Sequence, residues 1–409
     1  MRKVLILSGL LALTVPVLAA DWPHYRGVNH DGKSPEKIAK TWPTEGPKTV
    51  WKVPMGEGFS AVSVVGDRAY CFASVEEQET VIAMESGTGK QLWAVPIDKK
   101  IYDRQGGNGP RSTPAIDGGL VYILGTYGKL AALNAADGKI VWQHDLNAEF
   151  GGKTIQWGYA ASPVIEGDVV LVCAGGEGQS LLGFNKKTGA VIWKGQSDGM
   201  THATPTPATL FGTRQVIFRT DRGLVSVVPT SGDVLWRYGF PHSVSSAASP
   251  IVGDDMVYVS SAYGVGAGAA KIGKDGDKWT VTELWTDKGL QNHWTTPVYK
   301  DGHLYGLYKR PVDGLRCIEM ATGKEKWTKG GFAWEGATIL VDGDVLVQNN
   351  RGEMVLVKAT PDKYEELARA QPLGGQTWTM ATVANGRIFG RSMTEAVCLD
   401  VKPQLAKLR

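Results

Sequence analysis

The sequence runs to 409 residues, 43% of them hydrophobic, with 52 glycines and 14 tryptophans. That supplies apolar material for a large core and glycine for many turns. Formal charge is +3, and setting aside Arg2 and Lys3 of the N-terminal leader leaves +1 (3 − 2), which argues against nucleic acid or an anionic membrane surface as partner.

In chain order the first element is a leader, residues 1–20, MRKVLILSGLLALTVPVLAA. Arg2 and Lys3 form a charged start, Val4 to Leu18 an apolar run, and small residues precede a cut near Ala19 or Ala20, the pattern of a cleaved secretory signal. A membrane anchor fits less well, because the run is short and carries Pro16. No cysteine follows the cut and no later segment is apolar enough to span a bilayer, so a soluble periplasmic or secreted chain is expected. Export permits disulfides. The four cysteines, Cys71, Cys173, Cys317 and Cys398, are scattered through strand-like runs with neither zinc nor haem spacing, and they read as buried small hydrophobes.

After a lead-in over 21–48, a repeat governs the rest. ALNAADGKIVW (132–142) recurs as AMESGTGKQLW (83–93), GFNKKTGAVIW (183–193), VVPTSGDVLW (227–236) and CIEMATGKEKW (317–327). With Trp51 and Trp285, the tryptophans recur every 42 to 51 residues. Between them lies a second unit, such as RSTPAIDGGLVYIL, YAASPVIEGDVVLV, SAASPIVGDDMVYV and WTTPVYKDGHLYGL, eight copies in all counting weaker ones. Each is an extended run, a Gly/Asp turn and a β-rich run, a hairpin signature. One period therefore holds four strands, A to D, and eight periods without helical periodicity predict an all-β, eight-bladed β-propeller over 49–401, with a tail at 402–409. The D-strand tryptophans are expected to fill the wedges between diverging sheets, and glycine in the C–D turns to supply positive φ. TVWKVP (49–54) precedes the first A strand, and the last blade lacks a D strand of its own. The first strand is therefore expected to complete that blade and close the ring. Blade seven, ending in KYEELARA without a docking tryptophan, and blade five, with the insert-like IGKDGDKWTVTELW, are the irregular ones.

The A-x-(D/N/E)-x-x-(T/A)-G-K-x-x-W pattern, from Trp51 onward, resembles the tryptophan-docking repeat of the pyrroloquinoline quinone (PQQ)-type propeller superfamily. DWPHYRGVNHDGKSPEKI (21–38) is similar to the lead-in of its exported members. The resemblance implies one of two kinds of protein. Quinoprotein dehydrogenases bind PQQ and calcium in the funnel; others, including the propeller component of the outer-membrane assembly machinery, act through protein contacts. The chain departs from the first kind in having no adjacent cysteines and no haem motif, and from the second in having no lipid-anchored cysteine.

Aligned on the proline position of each A strand, the residues three places earlier are Phe59, Arg111, Ala160, His202, Ala247, Trp294, Glu335 and Trp378. Arg111, His202, Trp294, Glu335 and Trp378 are the candidate ligand ring: indoles to stack, arginine to pair with carboxylates, glutamate to hold a hard cation. The ring read as polar by default, meeting only itself and water, is the alternative. Strand alternation turns the neighbours Tyr159, His293 and Trp334 the other way, into the adjoining blade. Asp103, Arg104 and Asn108, in the polar loop IYDRQGGNGPR (101–111), read as parts of an ordinary connection that overhangs the same mouth at most. AGGEGQS (174–180) and YGVGAGAA (263–270) are turn glycines without a phosphate-loop context, and KDGDK (274–278) is a plain turn. The functional expectation is an exported, non-catalytic binding or scaffolding module that engages an envelope protein, an envelope polymer or a small ligand. The alternative is a PQQ- and calcium-dependent dehydrogenase of an alcohol or polyol, with Glu335 or Asp103 as ligand or base.

Overall fold

A computed structural model describes residues 20–309 and 312–403. Residues 1–19, where the leader is expected, and the end of the tail lie outside the described residues. The chain is an eight-bladed β-propeller with eight sheets, seven of four strands and one of five. Within each blade successive strands pair antiparallel, as in blade three, where Val164–Glu166, Val169–Gly176, Gln179–Asn185 and Val191–Gly195 follow one another outward. The B and C strands are buried on both faces, which is why they read as continuous apolar runs; D strands such as Gln91–Lys99 alternate exposed and covered residues at the rim. Lys48–Pro54 pairs antiparallel with Glu395–Asp400 and completes the eighth blade, so the ring is latched by the start of the chain.

The tryptophans join blades rather than stabilise their own. Trp142 Nε1 donates to Lys186 O of the next blade at 2.9 Å, and Trp51, Trp93, Trp193, Trp285 and Trp327 reach the equivalent carbonyl turn of their neighbours. Each indole but the last lies flat on the turn glycine. A Cβ on Gly189, whose φ is +74°, would meet Trp142 at 2.8 Å, so glycine is required by close approach as well as by its left-handed backbone.

Two junctions are built otherwise. Trp236 Nε1 donates within its own blade to Gln215 Oε1 at 2.6 Å. The apparent insert in blade five is a lengthened C–D hairpin, Gly266–Asp275 against Lys278–Asp287, with KDGDK as its turn. Arg219 fastens that junction, its guanidinium donating to Pro241 O and Ser261 Oγ at 2.5 and 3.0 Å. In blade seven KYEELARA does form a D strand, Glu366–Ala370, and the wedge is filled by the lead-in, whose Ile38 and Trp42 join the apolar cluster of Leu356, Ala368 and Leu399.

Around the axis the A strands do not pair as a sheet, so their inner N–H groups need other partners. The hydroxyl before the proline supplies them: Ala61 N donates to Thr113 Oγ1, Thr113 N to Ser162 Oγ, Ser162 N to Thr204 Oγ1 and Ser249 N to Thr296 Oγ1, all at 2.9–3.0 Å. The recurring Ser/Thr-Pro of the sequence is this belt. All four cysteines are buried and free. One short helix, Leu146–Phe150, capped by Asp145, links blades two and three.

Candidate functional site: the channel mouth

The lead-in does not stand apart from the propeller. Trp22 exchanges two backbone hydrogen bonds with Val64 in blade one, at 2.8 and 2.9 Å, and Pro23 O accepts from Ile116 N in blade two. The chain then crosses the channel. Arg26, 3% exposed, donates to Thr296 O and Pro297 O of blade six at 3.1 and 2.9 Å. Lys33–Ser34 adds a parallel fifth strand to blade seven, and the Glu36 carboxylate accepts from Asn385 N and Gly386 N in blade eight. Tyr25 and Arg26 thereby become the floor of a cavity of about 470 Å³ that opens where the A strands begin. Nothing periodic in the sequence marks this crossing; its partners are separated from it by up to 350 residues.

All eight residues of the aligned register line that cavity: the structure brings Arg111, His202, Trp294, Glu335 and Trp378 together with Phe59, Ala160 and Ala247. Two neighbours depart from expectation. His293 and Trp334 line the cavity instead of pointing into the adjoining blade. The regular strands begin only at Val298 and Gly336, so two-residue alternation does not yet apply to the segments before them. Tyr159 does turn away, its hydroxyl 2.9 Å from Asn147 Oδ1 and 3.1 Å from Ala174 O. Trp157 and Tyr263, from connecting turns, and Gln105 and Gly106, from the 101–111 loop, complete the rim.

The walls are aromatic to an unusual degree. Phe59 stacks on Trp378 at 5.3 Å, Trp378 lies 4.7 Å from Trp294, and Trp294 lies 5.4 Å from Trp334. His293 stacks on Trp334 at 5.1 Å and meets Tyr263 edge-on at 5.2 Å. Lys309 Nζ rests 4.4 Å from the Trp334 ring centre, a cation–π contact at the rim.

The polar groups divide into committed and uncommitted. Arg111 is committed: its guanidinium donates to Gly109 O, Gly107 O and Gly106 O at 2.8, 2.9 and 3.3 Å, clamping the loop over the mouth, and burial lowers its pKa to about 10. Glycine at 106 and 107 lets that loop lie against the aromatic wall, for a Cβ would meet Trp157 at 2.6 Å and Phe59 at 2.7 Å. Asp103 is spent within the loop, its N donating to Asn108 Oδ1 at 3.0 Å and its Oδ1 accepting from Gln105 N at 2.9 Å, while Asn108 Nδ2 donates outward to Glu57 Oε1 at 3.2 Å. Neither lines the cavity, nor does the exposed Arg104.

Uncommitted groups are the histidines, two indoles and one carboxyl. His202 Nε2 faces Gln156 O at 2.7 Å, so that nitrogen carries the proton and Nδ1 is a bare acceptor without a protein partner. Both ring nitrogens of His293 and the Nε1 of Trp157 and Trp294 are likewise unpartnered. Burial lowers the pKa to about 4 for His202 and about 3 for His293, so both are neutral at pH 7. Burial raises the pKa of Glu335, the one carboxyl on the cavity wall.

This donor set does not fit a calcium-bound quinone. Calcium takes six to eight oxygens, typically several carboxylates, whereas the cavity offers one carboxyl. Among the described residues no group of three or more His, Cys, Asp or Glu could hold a metal ion. The arginine that would pair with quinone carboxylates already serves three carbonyls.

The family model described as outer membrane protein assembly factor BamB matches residues 77–329. The chain is 26% identical over 232 residues to the protein of that name from Yersinia pestis, covering 52% of this chain and 55% of the relative, about half its length. Against the Bordetella pertussis protein of the same name, identity is 23% over 88% of this chain and 97% of the relative. Among solved structures, BamB from Moraxella catarrhalis superposes with a TM-score of 0.62 at 18% identity, covering 88% of this chain and 98% of that one. Quinohemoprotein alcohol dehydrogenase from Comamonas testosteroni gives a TM-score of 0.67 at 14% identity, covering 95% of this chain and 82% of that one. At such identities the two structures speak to fold alone.

Proposed function

The chain belongs to the family described as outer membrane protein assembly factor BamB, and from that premise we propose that it is an exported binding or scaffolding module of the cell envelope that performs no chemistry of its own. Its channel mouth is the contact site. The observation that carries this reading is the composition of the mouth: an aromatic wall with neutral imidazoles and a single carboxyl among the described residues, suited to holding a ligand or a partner's side chains. The relatives' name, outer membrane protein assembly factor, supports a place in the envelope outside the cytoplasm, with residues 1–20 acting as a cleaved leader. No helix among the described residues is long and apolar enough to cross a membrane. The partner proposed is an envelope protein, in keeping with the relatives' name, or an envelope polymer.

The test is a titration of the purified mature protein with PQQ, with and without calcium, followed by intrinsic fluorescence and by dye-linked alcohol oxidation. The expected outcome is no saturable, calcium-dependent quenching and no turnover. Saturable quenching that needs calcium and disappears in Arg111→Ala would replace this reading with the dehydrogenase.

A further inference from the structure

We propose that the channel mouth binds a neutral saccharide, with a pyranose ring stacked on the Trp294, Trp334 and Trp378 wall and its hydroxyls bonded to His202, His293 and the Trp157 indole. The proposal rests on the reading of the mouth as a binding site and adds the chemical class of what it takes.

Three observations select that class. The first is shape: four aromatic rings, Phe59, Trp378, Trp294 and Trp334, follow one another at 4.7–5.4 Å and all line a cavity of about 470 Å³. Indole faces pack well against the flat C–H face of a sugar.

The second is the chemistry of the unpartnered atoms. Trp157 Nε1 and Trp294 Nε1 can only donate, and His202 Nδ1 can only accept. Neutral His293, 5% exposed, offers one donor and one acceptor, neither used within the protein. Buried polar atoms are normally partnered, so a cluster of them calls for an explanation. A ligand that completes this set must donate and accept at several points, which hydroxyl groups do. Seating it requires small ring rotations that bring the shielded nitrogens to the ligand, and relief of their unpaired state favours that step.

Charge is the third. Among the described residues the cations at the cavity are engaged, Arg26 by blade-six carbonyls, Arg111 by loop carbonyls and Lys309 by the Trp334 face, while Glu335 makes no salt bridge and, of these cations, feels only the nearby charge of Lys309. A polyanion would meet Glu335 without a free cation. A quaternary ammonium would suit the aromatic wall, yet it accepts no hydrogen bond and would leave the indole donors bare. An apolar side chain from a protein partner leaves every ring nitrogen unsatisfied. A neutral polyhydroxyl ligand meets none of these objections.

The experiment is isothermal titration calorimetry of the full mature chain against cellobiose, maltose, diacetylchitobiose, choline and PQQ, with sedimentation against insoluble cellulose, chitin and peptidoglycan. At least one neutral disaccharide should bind saturably. Trp294→Ala should weaken that binding about tenfold or more through loss of stacking. Trp294→Phe, which keeps a ring and removes the donor, should fall between it and the native chain. His293→Gln should weaken binding while leaving the fold intact by circular dichroism, and Trp236→Phe, at a remote blade junction, should change nothing. Co-sedimentation with a polymer would identify the sugar as part of a glycan chain, and free-disaccharide binding alone would identify a soluble ligand; both support the class. Saturable binding of choline with silent sugars overturns the proposal, as does an absence of heat with every saccharide at its solubility limit. Silent sugars with silent PQQ would leave the binding-module reading standing. Calcium-dependent PQQ binding with oxidation of a bound sugar would overturn that reading while the saccharide class stood.

Discussion

The two ends of the channel are built on the same eight A strands and come out as opposites. At the floor the lead-in lies across the ring and its charged groups are used up: Arg26 serves Thr296 O, Pro297 O and Asp31 O, and Glu36 accepts from three backbone amides, while Trp22 Nε1, His24 Nδ1 and His30 Nδ1 stay unpartnered. At the mouth the structural cation, Arg111, is spent on holding a loop, and the groups left over are aromatic faces and unpartnered ring nitrogens. Buried charges whose bonds are all met within the fold stabilise it and give a ligand nothing to bond; unpartnered groups that line an open cavity cost stability and give specificity. One end therefore secures the fold and the other presents it.

That contrast can be broken from the floor first. Arg26→Ala leaves buried carbonyls from blade six without a donor and opens a void beneath the cavity. It should lower unfolding stability by about 3 kcal/mol or more, read as a shifted denaturant midpoint. A change within error would mean that the lead-in only rests on the ring.

Acid should act next. At the floor His24 and His30 stack at 4.7 Å, and burial holds His24 at about 4 and His30 well below its ordinary value; His202 and His293 at the mouth are held near 4 and 3. These are bases whose folded pKa lies below the unfolded one, so the unfolded chain binds more protons. Their neutral forms cost nothing above pH 6.5, and stability is lost as pH falls from 6.5 toward 4, by up to about 1.4 kcal/mol per pH unit for each histidine. Denaturant midpoints taken from pH 7.5 to 4.5 measure the slope, and His202→Gln with His293→Gln should remove the mouth's share and leave the floor's. An unchanged slope in that double variant would show that the mouth histidines titrate freely.

The smallest stability change is expected at the mouth. Arg111→Ala releases the 101–111 loop and should cost about 1 kcal/mol, since the loop's carbonyls then reach water. Its main sign should be faster proteolytic cleavage within that loop. If global stability falls as far as with Arg26→Ala, the mouth is part of the structural framework and the contrast fails.

Much of this was legible in the residues because it repeats. The Gly-x-x-x-Trp spacing of five C–D turns marks most of the junctions, and alignment on the proline position of the A strands, occupied by proline after Arg111, His202 and Trp294 and by other residues after Glu335 and Trp378, puts all five in one register, hence at one height in the channel. The repeat misled where a strand had not yet begun: alternation sent His293 and Trp334 into a blade, and the irregular segments before Val298 and Gly336 turn them into the cavity. It said nothing about the filler of blade seven, because Ile38 and Trp42 come from outside the repeat.

Sequence alone determined the blade count, the closing strand and the ring's membership, since each follows from local periodicity and from the need to cover apolar faces and strand edges. Only the tertiary structure decided that residues 21–38 cross the channel, that Arg111 is bound to its own loop, and that the mouth is left with neutral, unpartnered rings. These depend on which distant groups meet, and a hydrogen bond between residues some 270 positions apart, such as Arg26 to Thr296, has no periodic trace in the chain that makes it.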